Sequence, residues 1–240
     1  MNFFACDNSH LVSGRKPRHG VPFLHDRVRS QKMTEQGDRF FVLAVSIAAR
    51  LHDVLEDARS ISLQAMNAQA SIARSGDQSR AMEPIVDYMN GLSLSIIQLV
   101  EDVDDEALLI SRESLTEFRE SVAVERFVDA VRLGQGAKHM DAIEAKVVLL
   151  RDNLTVIRQG TGKKIGVLIG LLSSIETTLL SANIVTSSFR IEVGKLDSEH
   201  KVTFESLIGA FDTATQNIRS VVNRCKADLG TTRAHAATKK

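Results

Sequence analysis

The residues best suited to chemistry are poorly placed for it. His52 and Asp53 are neighbours on a helical stretch, where adjacent side chains point about 100° apart and cannot work as a pair. His10, His19 and His25 crowd the basic N-terminal segment at spacings that match no metal-ligand motif. His139 and His200 have no Cys, Ser or carboxylate partner at a recognisable distance, and His139-Met140-Asp141 reads more simply as a helix start. Cys6 and Cys225 lie at opposite ends of the chain with no C-x-x-C pair, as expected of free thiols in a reducing cytoplasm. Gly160-Thr161-Gly162-Lys163-Lys164 has the basic and glycine content of a phosphate loop. It lacks the first Gly at the right distance, the Ser or Thr after the Lys, and a preceding strand. A kink or hinge in a helix is expected there instead. No catalytic residue, metal site or cofactor is expected, and the chain reads as a non-enzyme.

A second kind of chemistry, recognition by a helical tip, has better credentials. The run Asn67-Ala68-Gln69-Ala70-Ser71-Ile72-Ala73-Arg74-Ser75-Gly76-Asp77-Gln78-Ser79-Arg80 joins two apolar-periodic stretches, and Gly91-Leu92-Ser93 follows. Gly76 offers a left-handed stop to one helix and Asp77 or Ser79 a cap to the next. Pro84 fits only in the first turn of that next helix, which should start near Arg80 to Glu83. A fainter version appears at Ser188-Phe189-Arg190-Ile191-Glu192-Val193-Gly194-Lys195, again between a descending and an ascending helix.

The first run resembles the hairpin tip of the cytoplasmic signalling domain of methyl-accepting chemotaxis proteins. That tip carries Asn-Ala-x-x-x-x-Ala-Arg-x-Gly-Glu-x-x-Arg, with Leu-Ala or Leu-Ser soon after. The stretch 67–93 follows it without a gap, and Arg190-Ile191-Glu192 in the stretch 188–215 resembles the Arg-Ile-Glu form of some receptor tips. The resemblance implies a cytoplasmic sensory protein that docks a chemotaxis coupling protein, a histidine kinase or chemoreceptors. Asn67, Ser71, Arg74, Gly76, Asp77, Arg80, Arg190 and Glu192 would be its contact residues. The chain departs from the family at Ser71, Tyr88 and Asn90, where the family carries Glu, Glu and Arg, and at Arg59, where it carries an aromatic residue.

The elements that must hold such tips are helices. The chain contains 30 basic and 30 acidic residues, 3 Pro, 1 Tyr and no Trp. Scarce proline and abundant Ala, Leu, Glu and Arg suit long helices and not sheets. Balanced charge argues against general nucleic-acid binding. Apolar residues recur at helical spacing from Phe40 to Ala68, from Ile85 to Val103, and again through Leu108, Leu109, Leu115, Phe118 and Val122. The acidic group Glu101 to Glu106 is either a bend or a solvated face. The stretch Ile165 to Val185 approaches membrane-spanning length, but Glu176 at its middle favours a buried bundle helix without membrane insertion.

The expected fold is all-α: an elongated antiparallel four-helix bundle, or coiled coil, made of two helical hairpins. Hairpin one covers about 35–133 and hairpin two about 139–229, inside a bundle of 33–229. Segments 1–32 and 230–240 read as flexible basic tails. The chain would act as a monomer imitating a receptor dimer, or as a homodimer with one hairpin per chain. A helical ligand-binding sensor or structural bundle outside the chemoreceptor array is the alternative.

Overall fold

The computed structural model describes residues 23–134, 138, 140–196 and 198–237, and the side chains of 39–74, 79–134, 138, 140–196 and 201–232. These form four long helices: α1 (Phe23–Ser75), α2 (Glu83–Leu133), α3 (Met140–Val193) and α4 (Ser198–Ala237). A 3-10 segment, Gly76–Met82, joins α1 to α2. No strand occurs among the described residues, and the all-α bundle expected from the sequence is what forms.

Each helix packs against two neighbours in the cyclic order α1–α2–α3–α4–α1. Cross-helix pairs fix the direction as antiparallel. Ser62 meets Asn90 and Gln69 meets Asp87, while Arg190 meets Asp212 and Lys226 meets Glu176. In each pair of neighbours, one residue number rises as the other falls. The α1–α2 and α3–α4 junctions therefore share one end of the bundle. The α2–α3 junction sits at the other end.

The seam is a heptad seam. On α1 the buried residues Phe40, Ala44, Ile47, Leu51, Val54, Ala58, Ile61, Ala65, Ala68 and Ile72 alternate spacings of four and three. On α4, Phe204, Ile208, Phe211, Thr215, Ile218, Val222, Cys225 and Leu229 do the same. A 3.5-residue repeat keeps one stripe turned towards the partners along the whole rod. Large residues on one wall meet small ones on another: Phe189, Phe204 and Phe211 of α3 and α4 share their end of the core with Ala65 and Ala68 of α1.

Several expectations need correction. α1 begins at Phe23 and α4 runs to Ala237, so residues 23–32 and 230–237, read as tails, are helical. The rest of both tails, 1–22 and 238–240, lies outside the described residues. The interruption expected at Gln159–Lys164 does not occur, and α3 is one continuous helix. Glycine keeps its N–H and so its place in the helical ladder. Thr161 of this segment is buried against α2, and Lys164 is salt-bridged to Glu113. Of the two readings of the acidic group 101–106, the solvated face is the one that forms, on a continuous α2.

The lower half of α2 shows the wrong face to a reader of periodicity. Leu108, Leu109, Leu115 and Phe118 are the exposed residues, and the seam runs instead through Ala107, Ile110, Ser114, Glu117, Ser121 and Val124. The heptad set higher up α2 continues unbroken through these positions, and a straight helix cannot turn its large residues inwards without turning its upper core out.

Candidate functional site

At the tip end, the chain leaves α1 through the 3-10 segment, which packs on α1, α2 and α3. The turn is thus wider than the tight glycine stop expected. α2 starts at Glu83 with Met82 at its N-cap, and no described side chain, Ser79 included, caps it. Pro84 falls in the first turn, where its missing N–H costs nothing. Met82 is 1% exposed and plugs the end of the core. Ser79 is fully buried, and its Oγ has no hydrogen-bond partner among the described residues.

The second tip is a shorter turn. The Gly194 N–H donates to the Arg190 carbonyl at 3.0 Å, and the Leu196 N–H donates to the Val193 carbonyl at 3.1 Å. Phe189 of α3 and Phe204 of α4 meet edge to face beneath it, with ring centroids 5.9 Å apart.

The sequence-predicted contact residues divide in three. Asn67, Arg74 and Arg80 are exposed; the Arg74 Nε donates to the Ala70 carbonyl at 3.1 Å, and the Asn67 carbonyl accepts the Ser71 hydroxyl at 3.1 Å. Arg190 is exposed and bridges to Asp212, while Glu192 accepts from Lys195 Nζ at 2.7 Å. Gly76 and Asp77 lie in the 3-10 segment, and their side chains fall outside the described ones. Because the 3-10 segment touches α3, residues of both tips come to one end of the rod. Tyr88 stands out from the surface, 50% exposed. Asn90 is turned inwards, its Oδ1 accepting the Ser62 hydroxyl at 2.7 Å.

Periodicity alone missed a second polar locus, on the α2–α3 seam towards the opposite end. Ser114, Glu117 and Ser121 hold three successive core positions of α2, each 3% exposed or less. From α3, Arg158 Nε donates to Glu117 Oε1 at 2.6 Å, and Lys164 Nζ lies 2.8 Å from Glu113 Oε1. Thr161 Oγ1 lies 3.3 Å from Glu113 Oε2. The Glu113 hydrogen bond raises the Lys164 pKa above its ordinary value. Buried Ser114 Oγ, Glu120 Oε2 and Arg158 Nη2 have no partner among the described residues.

This locus divides the hydrophobic core. The main cluster ends at Ile110 and Ile165, and a small separate one gathers Val124, Leu150 and Leu154. On α3 the seam passes from Leu154 to Thr161 to Ile165, eleven residues in place of two clean heptad steps. Such an insertion relaxes the supercoil locally. The signal was available in the sequence as the heptad continued downwards from Val86 through Ile110, which lands on Ser114 and Glu117.

The arrangement pairs charges across the seam and closes it. No group of three or more His, Cys, Asp or Glu converges for a metal among the described residues. Cys225 is a buried core residue whose thiol pKa is pushed up by burial, opposite to what a reactive thiolate requires. The α1–α4 face has a shallow groove of about 410 Å³ lined by Arg39, Val42, Leu43, Ser46, Asp228, Thr231 and Thr232. Compared with protein-family models, curated proteins and solved structures, the chain matches none of them.

Proposed function

We propose that the chain is a non-enzymatic signalling protein of the cytoplasm, a bundle that docks chemotaxis partners through its tip end. The partner is a coupling protein, a histidine kinase or a chemoreceptor. One observation carries this reading: the two segments that resemble receptor tips are the two turns at one end of the bundle, with Asn67, Arg74, Arg80 and Arg190 on its surface. A single chain then offers what a receptor offers as a dimer of hairpins.

The test is a binding assay between the full chain and a purified coupling protein and histidine kinase from the same genome. Arg74→Glu and Arg190→Glu should each weaken binding while leaving the helical circular dichroism intact. Binding that survives both substitutions would remove the tip from the interface.

A second reading, a sensor or structural bundle outside the receptor array, draws support from Asn90. The family places a partner-contacting Arg there, and here the side chain is engaged with Ser62. No binding to either purified partner by the unaltered chain would favour it.

A further inference from the structure

The outward face of α3 is unlike that of any other helix in the bundle. Between Ile165 and Phe189 the only ionisable residue is Glu176, which is tied to Lys226 of α4. By contrast, α2 carries five acids between Glu101 and Glu106 alone. The most apolar 18-residue stretch of α3 passes for a membrane span by composition, yet only 33% of it is buried in the bundle. Leu180 is 59% exposed and Ile184 71%.

Two further observations concern what this face is shaped for. Gly162, Gly166 and Gly170 follow one another at intervals of four along it, and a Cβ at any of them would meet nothing within 4 Å. Glycine is the weakest helix former after proline, and no packing inside the molecule explains these three. The hydroxyls of Ser173, Ser174, Thr177, Thr178 and Ser187 all donate to carbonyls four residues back on the same helix. These five hydrogen bonds are already made, so covering these five hydroxyls strands none of them.

We propose that this face docks the same face of a second copy, with the two α3 helices antiparallel. The sequence is self-complementary in one antiparallel register, centred on residue 175. Gly166 falls opposite Ile184 of the partner, Gly170 opposite the partner's Leu180, and Ser173 opposite the partner's Thr177. Each large aliphatic side chain meets a notch, and by two-fold symmetry every such contact occurs twice. Between Gly166 and Ile184 an apolar surface meets an apolar surface, and the one ionisable residue there, Glu176, is already paired with Lys226. A lipid surface needs no such register, and the acids Asp102 and Glu106 on neighbouring α2 disfavour an anionic bilayer. The same symmetry brings α2 beside its own counterpart. Salt therefore tightens the association by screening these acids. The inference stands independently of the tip reading; in this register each tip end lies alongside the partner's α3, near the level of its residue 157.

The experiment is analytical ultracentrifugation of the full chain, with three variants. The unaltered chain is a concentration-dependent dimer. Gly170→Leu opposes leucine to leucine and weakens the dimer by at least about tenfold. At concentrations where the unaltered chain is also monomeric, its melting temperature does not fall, because the new side chain meets open space in the monomer. Leu180→Gly also weakens the dimer, by emptying the notch. Gly170→Leu combined with Leu180→Gly restores it, since the exchanged residues again face each other in this register and in no parallel one. A chain that is monomeric at every accessible concentration overturns the proposal. So does a dimer indifferent to Gly170→Leu, or a double variant that fails to recover. Flotation of the monomer with phosphatidylcholine vesicles would reassign the face to lipid and equally overturn it.

Discussion

Arg158 of α3 donates its Nε to Glu117 of α2 at 2.6 Å, inside a seam where the Glu117 side chain is only 4% exposed and Arg158 is 30% exposed. The pair occupies a place that leucines fill elsewhere. A charge removed from water is costly, and its partner repays that cost only with good geometry and every remaining polar atom satisfied. Here Arg158 Nη2 is unsatisfied, and so is Ser114 Oγ close by in sequence to Glu117. The seam at this level is therefore specified more than it is stabilised. It admits one pairing of α2 with α3 and gives up hydrophobic burial to do so.

A double-mutant comparison separates the two effects. Arg158→Leu alone leaves Glu117 buried without its cation and should cost about 2 kcal/mol, less than for a fully buried pair because Arg158 is partly solvated. Arg158→Leu with Glu117→Leu should recover that loss or exceed it, because an apolar layer would join the two core clusters. Urea unfolding checks both. A double variant less stable than the single one would show that the pair stabilises the fold outright.

Helix α3 passes through Gly160 and Gly162 without a break, and a Cβ at Gly162 would meet nothing within 4 Å. Gly162→Ala should therefore stabilise the protein by about 0.5–1 kcal/mol, from helix propensity and a less flexible unfolded chain. A rise in melting temperature of about 2 °C would register it. A hinge at this point would give the opposite sign or no change.

The four helices and their order follow from features a reader can see: a heptad repeat, few prolines, and glycines at the junctions. The polar seam was hidden for a physical reason. Large apolar residues dominate a periodicity count, and Leu108, Leu115 and Phe118 outweigh Ser114 and Glu117. Packing is decided by the register of the whole helix, set here by Val86 through Ile110, and the lower leucines are carried outwards by it. The expected break failed for a related reason. Glycine permits an interruption without requiring one, and α3 keeps contacts across the seam from Arg158, Thr161 and Lys164 through this segment. Tip geometry was half readable. Pro84 marked the start of α2, but the 3-10 path before it is set by the burial of Met82, which local sequence does not announce.

Asp104 gives the bundle a small acid dependence. Burial raises its pKa above the ordinary aspartate value, Asp105 and Glu101 add to the rise, and His52 opposes it. The folded state thus holds this proton to higher pH than the unfolded state does, and the ionised form costs stability. The cost is absent below the unfolded pKa, grows as pH rises through the interval to the folded one, and is complete above it. Asp104→Asn should therefore raise the melting temperature slightly at neutral pH, the gain being reduced by solvent because Asp104 is exposed. That advantage should vanish at pH values below the ordinary aspartate range. Thermal melts across pH check it, and an advantage that persisted in acid would assign the gain to something other than the charge.

Phe189 and Arg190 are consecutive, yet they should behave as opposites. Phe189 is fully buried and packs edge to face on Phe204, so Phe189→Ala opens a cavity at the tip end of the core and should cost about 3–5 kcal/mol. Arg190 points to solvent, and its bridge to Asp212 has a side chain 61% exposed on the arginine side. Exposed pairs are screened, so Arg190→Ala should change stability by less than about 1 kcal/mol. In a partner-binding assay the ranking should reverse among molecules that remain folded. Arg190→Ala should lose affinity, whereas Phe189→Leu, which keeps the core filled, should retain it. Equal losses of affinity in both would mean that tip binding reads the packing of the end of the bundle and not the charges displayed on it.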